Sequence, residues 1–336
     1  MVEKIAVVVT SISAPNPVLQ ALAQGSVEKE ISFIVIGDAI SPADFYLEGC
    51  QFYDLHEQVK SGLEFAAACP QRKYSRKNIG YLLAAQQGAS IIVETDDDNF
   101  PYAEFWKLRQ RHQFVASVEQ TGWLNVYRYF SDATIWPRGL PLDAVNDSIP
   151  DFETLAAKTV DCPIQQGLAD DNPDVDAIYR LLLPLPQKFR SDRRLALSAG
   201  AWCPFNSQNT SWWKDAYPLM YLPTYCSFRM TDIWRSFIAQ AIAWANDWAI
   251  LFHEPTVWQE RNEHNLMNDF KQEVDGYLKN RELCEVLQGL NLTAGIDKIP
   301  DNLLICYEKL VSLSFFDQQE LGLLQAWLSD LTTCSH

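Results

Sequence analysis

An α/β layer fold on a mostly parallel sheet is predicted from three features of this chain. Ile5-Ala6-Val7-Val8-Val9, Ile31 to Ile36 and Ala89 to Val93 are solid apolar runs, the pattern of strands buried on both faces. Helical signals separate the runs, as a layered sheet requires. Thr10, Asp38 and the acidic triplet Asp96-Asp97-Asp98 stand at their carboxyl ends, where such sheets gather a ligand crevice.

Each element has its own signal. After the first strand a proline-containing turn leads into a short helix, Val18 to Ala23, which should stop at Gly25. Ile31 to Ile36 ends at Gly37-Asp38, and Gln51-Phe52-Tyr53 fits a weaker third strand. From Ser75 to Gln87, Ile79, Leu82 and Leu83 share one helical face, with Ser75 as N-cap and Gly88 as C′ glycine. Ala89 to Val93 is the fourth strand and runs straight into the triplet. Residues 112 to 230 are rich in Trp, Tyr, Pro and Asn and predict mixed strands and loops. Thr231 caps an amphipathic run from Ile233 to Trp244, and Trp248 to Phe252 is a further strand. Beyond Asn265 the chain turns helical and acidic. No repeat or linker interrupts it, so one domain over 1–264 with a helical extension over 265–336 is expected.

Composition sets the outer bounds. The 336 residues are 48% hydrophobic and 12% aromatic, enough for one large core or two ordinary ones. The 43 acidic and 27 basic residues give a net charge of -16, which argues against broad grips on nucleic acid or anionic membrane. An anionic ligand must be held by a few local cations or a metal. Eight cysteines without a CxxC pair read as buried free thiols in a reducing compartment, and a cytoplasmic location is expected. The opening Met1-Val2-Glu3-Lys4 precedes a run too short for a secretory signal. No stretch reaches the roughly 18 apolar residues of a membrane span.

Two carboxylates one residue apart at a strand end can meet one hard divalent cation, or one can meet the ion while the other holds ribose; such a cation neutralises a diphosphate as a bond to it breaks. Asp96 and Asp98 have that spacing. A competing reading makes Asp98 or Asn99 the cap of a helix beginning at Pro101. Arg72, Lys73, Arg76 and Lys77 precede the helix that feeds the triplet. Cations there oppose the helix dipole unless an anion is nearby.

Tyr74-Ser75-Arg76-Lys77-Asn78-Ile79-Gly80-Tyr81-Leu82, Gly88-Ala89 and Glu94 to Asn99 closely resemble the glycosyltransferase-like domain of STELLO proteins. So do Val35 to Asp38, Pro204 to Thr210 and Thr231 to Arg235. A weaker similarity to reversibly glycosylated polypeptides, the UDP-arabinopyranose mutases, runs through Trp136-Pro137-Arg138-Gly139, Gln166-Gly167-Leu168 and Asn172 to Ala177. The resemblance implies a GT-A, Rossmann-like fold with a mixed sheet. It also implies a nucleotide-sugar donor, UDP-linked ahead of GDP-linked, and Mn2+ or Mg2+ at the aspartates.

Carried over position by position, Asp96 and Asp98 become the metal residues, and Thr10, Asp38, Arg76, Asp96 and Asp97 the nucleotide-sugar pocket. Asp232 stands where many enzymes of this fold keep an acceptor-facing carboxylate and is the candidate general base; as N1 of a capped helix it would also be favourable without catalysis. Arg138 is a second candidate catalytic residue, steadying diphosphate or acceptor, or else an ordinary turn arginine; Arg235 is open in the same way. A late histidine ligand of the family has no counterpart in Thr256 to Arg261, with His253 and His264 flanking. Trp202, Trp212, Trp213 and Trp234 either stack on sugar rings or fill the core. The expected activity is metal-dependent transfer of a sugar to a glycan or other hydroxyl acceptor. A nucleotide-sugar mutase and a non-catalytic assembly scaffold are the alternatives.

Overall fold

The computed structural model describes residues 3–260 and 265–334. Its first half is the predicted parallel unit. Strands β1 (Ile5–Thr10), β2 (Ser32–Ile36) and β3 (Gln51–Tyr53) pair in parallel, and β4 (Ile91–Thr95) joins the free side of β1, also in parallel. Helices α1 (Pro17–Glu28), α2 (Leu55–Lys60), α3 (Glu64–Ala68) and α4 (Lys77–Gln86) fill the crossovers. Side chains alternate across a strand. Ala6 and Val8 therefore enter one hydrophobic cluster, with Ile79 and Leu82 of α4, while Val7 and Val9 enter the other, with Leu19 and Leu22 of α1.

The second half turns the sheet mixed. It contains β5 (Asn99–Pro101), β6 (His112–Val118), β7 (Gly122–Trp123), α5 (Tyr127–Phe130), β8 (Ala157–Asp170), α6 (Ala177–Leu182) and β9 (Arg194–Leu197). Then follow β10 (Ala201–Trp202), β11 (Asn209–Trp213), α7 (Thr231–Ala245) and β12 (Trp248–Gln259). The ten-stranded sheet has the order β3-β2-β1-β4-β11-β8-β6-β9-β12-β5, and β8 also pairs with β12. Strand β11 lies antiparallel to β4, with Asn209 opposite Thr95 and Trp213 opposite Ile91. The segment just before β11 is thereby delivered to the carboxyl end of β4. This is the mixed α/β sheet that the GT-A resemblance implied.

Helices α8 (Leu266–Gln288), α9 (Ile299–Ser312) and α10 (Glu320–Cys334) match the helical reading of the C-terminal region. The boundary at 264/265 falls beside residues 261–264, outside the described residues. Leu283, Cys306 and Trp327 share one core cluster with Phe65, Ile79 and Ile233. Acidic side chains seal the contact, since Asp330 accepts the Glu64 and Phe65 N–H groups (3.0 and 2.9 Å). Among the described residues no helix is long and apolar enough to cross a membrane, and the eight cysteines are free.

Several local expectations give way to tertiary contacts. Gly25 does not end α1, which runs on to Glu28; a Cβ there would overlap the Trp106 indole, so the glycine serves packing. Ser75 lies inside a 3-10 turn, Tyr74–Arg76, and α4 starts at Lys77 without a side-chain cap; the Ser75 hydroxyl instead receives the Thr224 hydroxyl (2.7 Å). Thr231 is likewise inside α7, whose N-cap is Met230. No helix begins at Pro101. Asn99–Pro101 is a strand against β12, so the helix-cap reading of Asp98 and Asn99 fails. Gly88 does follow α4 with φ 78°, the left-handed conformation a C′ glycine supplies.

Candidate functional site

The carboxyl ends of β1, β2 and β4 open on a cleft of about 720 Å3. Thr10, Asp38, Arg76, Asp96, Asp97, Asp98, Arg138 and Asp232 all line it, so the candidate metal, nucleotide-sugar and catalytic residues meet in one place. Six acidic and six basic side chains line this cleft, against 43 and 27 in the chain. It is therefore locally balanced and can hold an anion that the rest of the surface repels.

The triplet is shaped by a turn from β4 into β5, closed by the Asn99 N–H on the Asp96 carbonyl (3.3 Å). Each aspartate has a different neighbour. Asp96 Oδ1 accepts from Lys77 Nζ (2.9 Å) and the Tyr74 hydroxyl (2.8 Å). Asp97 Oδ2 accepts from the Ser11 hydroxyl (2.6 Å), and the Asp97 carbonyl accepts from Asn16, the N-cap of α1 (2.8 Å). Burial pushes the Asp97 carboxyl above its ordinary range, against the pull of Ser11. Asp98 Oδ1 accepts from Gln259 Nε2 at the end of β12 (3.0 Å).

Across the cleft, Arg138 grips Asp174 through Nε and Nη2 (2.7 Å each) and reaches both oxygens of Asp232 (3.1 and 3.0 Å). Ser207 donates to the same Asp232 carboxylate through its N–H and hydroxyl (3.2 Å each). Burial pushes the Asp232 carboxyl up, but Arg138, Arg235 and the Ser207 N–H outweigh it and hold it down at about 2. Ser207 also meets the Tyr74 hydroxyl (2.7 Å), and its carbonyl accepts from Lys77 (3.3 Å). One hydrogen-bonded network therefore joins Asp96 to Asp232 through the segment that β11 brings alongside β4.

The cations divide by partner. Arg76 is buried and donates to Gln58 Oε1 (2.9 Å) and the Cys69 carbonyl (2.8 Å); among the described residues no carboxylate pairs with it. Lys73 Nζ rests on the Thr224 carbonyl (3.3 Å), and its N–H donates to Asp38 (3.2 Å). Arg229 is bound to buried Glu273 (2.9 Å). Arg235 is not a cleft residue: it is 1% exposed and paired with Glu94.

The four tryptophans are core rather than sugar platforms. Trp202, Trp212, Trp213 and Trp234 are buried, and none of them lines the cleft. Phe228, 58% exposed and edge-on to Tyr74, holds the aromatic position at the rim. His253 is buried away from the cleft; burial, Arg109 and Arg194 bring it down to about 4 against the opposing pull of Glu254. His264 lies outside the described residues. Among the described residues no three His, Cys, Asp or Glu groups come together as a metal cage. Two carboxylates on one wall nevertheless suit a hard cation whose shell is completed by phosphate oxygens and water.

Asp174, Ser11, Tyr74, Ser207 and Gln259 complete the site. Asp176, just beyond Asp174, caps α6 and accepts from the Tyr179 N–H (2.7 Å) and Trp136 Nε1 (2.6 Å). Burial lifts its carboxyl from 3.8 to about 6 despite those two donors. The folded state thus favours the protonated form, a contribution complete below pH 3.8 and lost as pH rises through 6. Asp176→Asn removes the titration. The stability of the wild type relative to this variant is expected to fall by about 2 kcal/mol from pH 4 to 7 in chemical denaturation. A difference that stays flat over that range contradicts the assignment.

A family model described as STELLO glycosyltransferases matches residues 229–336, which include Asp232 and Gln259 but not the triplet. Two curated relatives from Arabidopsis thaliana, described as probable glycosyltransferases STELLO2 and STELLO1, are each 26% identical over 320 and 321 residues. Each match covers 89% of this chain and 41% of the relative, so the chain spans less than half the length of these proteins. Among solved structures, the glucosyl-3-phosphoglycerate synthase of M. tuberculosis superposes with a TM-score of 0.39 at 11% identity, over 83% of this chain and 80% of that one.

Proposed function

We propose that this STELLO-type chain binds a nucleotide-sugar donor, UDP-linked ahead of GDP-linked, and transfers its sugar to a hydroxyl acceptor. The observation that carries the reading is the convergence of Asp96, Asp98, Arg76 and the Arg138–Asp232 pair on one cleft at the strand ends. Asp96 and Asp98 would hold Mn2+ or Mg2+ together with the donor's phosphates, and the ion would neutralise the departing diphosphate. Arg76 faces the same charge as a buried cation that, among the described residues, has no carboxylate partner. Asp38 and Thr10, on loops stitched by the Ser41 hydroxyl on the Ser11 carbonyl (2.9 Å), flank the nucleoside end.

Asp232 and Arg138 serve the acceptor side. A carboxylate held near 2 is a weak Brønsted base, so in this arrangement Asp232 is suited to accepting a hydrogen bond from the acceptor hydroxyl and fixing its direction. Removal of the proton by Asp232 would require the Arg138 pairing to loosen when the donor binds. The pairing of Arg138 with Asp174 also keeps the mutase reading in view. Incubating the donor alone separates the two, because only a mutase changes the sugar's ring form.

The test is a thermal-shift screen of UDP- and GDP-sugars with and without Mn2+ or Mg2+. Ligand at about 100 times its Kd stabilises the native state by about 2.7 kcal/mol. A rise in melting temperature with at least one nucleotide sugar, larger with the ion, is the expected result. No shift across the panel sinks the proposal, while binding without transfer to any acceptor favours the scaffold.

A further inference from the structure

Lys77 is the most enclosed charge beside the triplet: its side chain is 0% exposed. An ammonium has three N–H groups and no acceptor. Around it stand acceptors, the Thr95 carbonyl (2.7 Å), the Tyr74 hydroxyl (2.9 Å), Asp96 Oδ1 (2.9 Å) and the Ser207 carbonyl (3.3 Å). The ammonium is thus walled in by oxygen acceptors. Asp96 spends Oδ1 on Lys77 and Tyr74, and Oδ2 takes no hydrogen bond from the described residues.

We propose that Lys77 is a built-in counter-ion that keeps the triplet from holding a divalent cation alone, so that ion and nucleotide diphosphate are taken up together. The inference rests on the metal-diphosphate reading above. An ion at Asp96 Oδ2 would lie one carboxylate away from a fixed positive charge that water cannot reach to screen. The protein offers too few oxygen donors to offset that repulsion, and among the described residues no third His, Cys, Asp or Glu joins them. A diphosphate supplies both missing quantities, negative charge and oxygen ligands.

The experiment titrates the full chain with Mn2+, following loss of the free-ion electron paramagnetic resonance signal, with and without saturating UDP. The wild type is expected to bind Mn2+ at least about tenfold more tightly with UDP. Lys77→Met, checked for folding by thermal melting, is expected to raise the nucleotide-free affinity at least about tenfold and so shrink the dependence on UDP. Equal affinity of the wild type with and without UDP, or an unchanged nucleotide-free affinity in Lys77→Met, overturns the role of Lys77 and leaves the metal-diphosphate reading standing. A wild type that takes up no Mn2+ even with UDP removes that reading and this inference together. If the variant does not fold, the two wild-type titrations decide.

Discussion

Replacing Asp98 with alanine is expected to lower sugar transfer by about 10²–10³-fold, the usual loss when one preorganised electrostatic partner of a transition state is removed. Position, rather than the acidity of the triplet as a whole, sets this loss. Asp98 sits at the β4–β5 turn, lines the cleft and accepts from Gln259. Asp97 instead spends its carboxylate on Ser11 and its carbonyl on Asn16, tying the turn to the start of α1. Asp97→Asn should therefore stay within about tenfold of the wild type, with its main effect on unfolding temperature. Initial rates at saturating donor, measured across an Mn2+ series, check both variants. Undiminished transfer in Asp98→Ala, or equal losses in the two, removes Asp98 from the metal-diphosphate role.

The parts of this site legible in the sequence are those written in short-range pattern. Solid apolar runs announced β1, β2 and β4, because a strand buried on both faces admits few polar residues. The triplet and Asp38 were visible because they interrupt such runs at the ends. Helix starts were less legible. Ser75 and Thr231 look like caps, yet Ser75 lies within a 3-10 turn bonded to Thr224, and Thr231 within the first turn of α7, which packs against α8. Basic residues 72, 73, 76 and 77 form one cluster in the sequence, and the fold keeps the first three on the cleft but buries the fourth. Lys77 turns inward onto Asp96, while Arg76 lines the cleft and donates to an amide and a carbonyl. Nothing local distinguishes those fates. Likewise Gln259 owes its place on Asp98 to β12 pairing with a three-residue strand that reads as the start of a helix.

The largest stability effect is expected at a pair that short-range pattern could not join. Glu94, 0% exposed, accepts from Arg235 Nη1 (2.9 Å) and Trp212 Nε1 (2.8 Å) as well as the Tyr81 hydroxyl, and Arg235 lies 141 residues away on α7. Removing one member leaves the other charge buried without its partner, which costs about 3–5 kcal/mol. Arg235→Met and Glu94→Gln should each lose that much in urea unfolding. The double variant should recover part of it, because no unpaired charge then remains. A single substitution costing under about 1 kcal/mol would place the pair in the weak class of exposed ion pairs. Function follows from position. Glu94 lies on β4 two residues before Asp96, and Arg235 lies about one helical turn after Asp232 on α7, so the pair ties the triplet's side of the cleft to the Asp232 side. Variants that still fold should therefore keep nucleotide binding within about tenfold yet lose transfer rate, because a shift of about 1 Å between reacting groups can cost about 10²-fold.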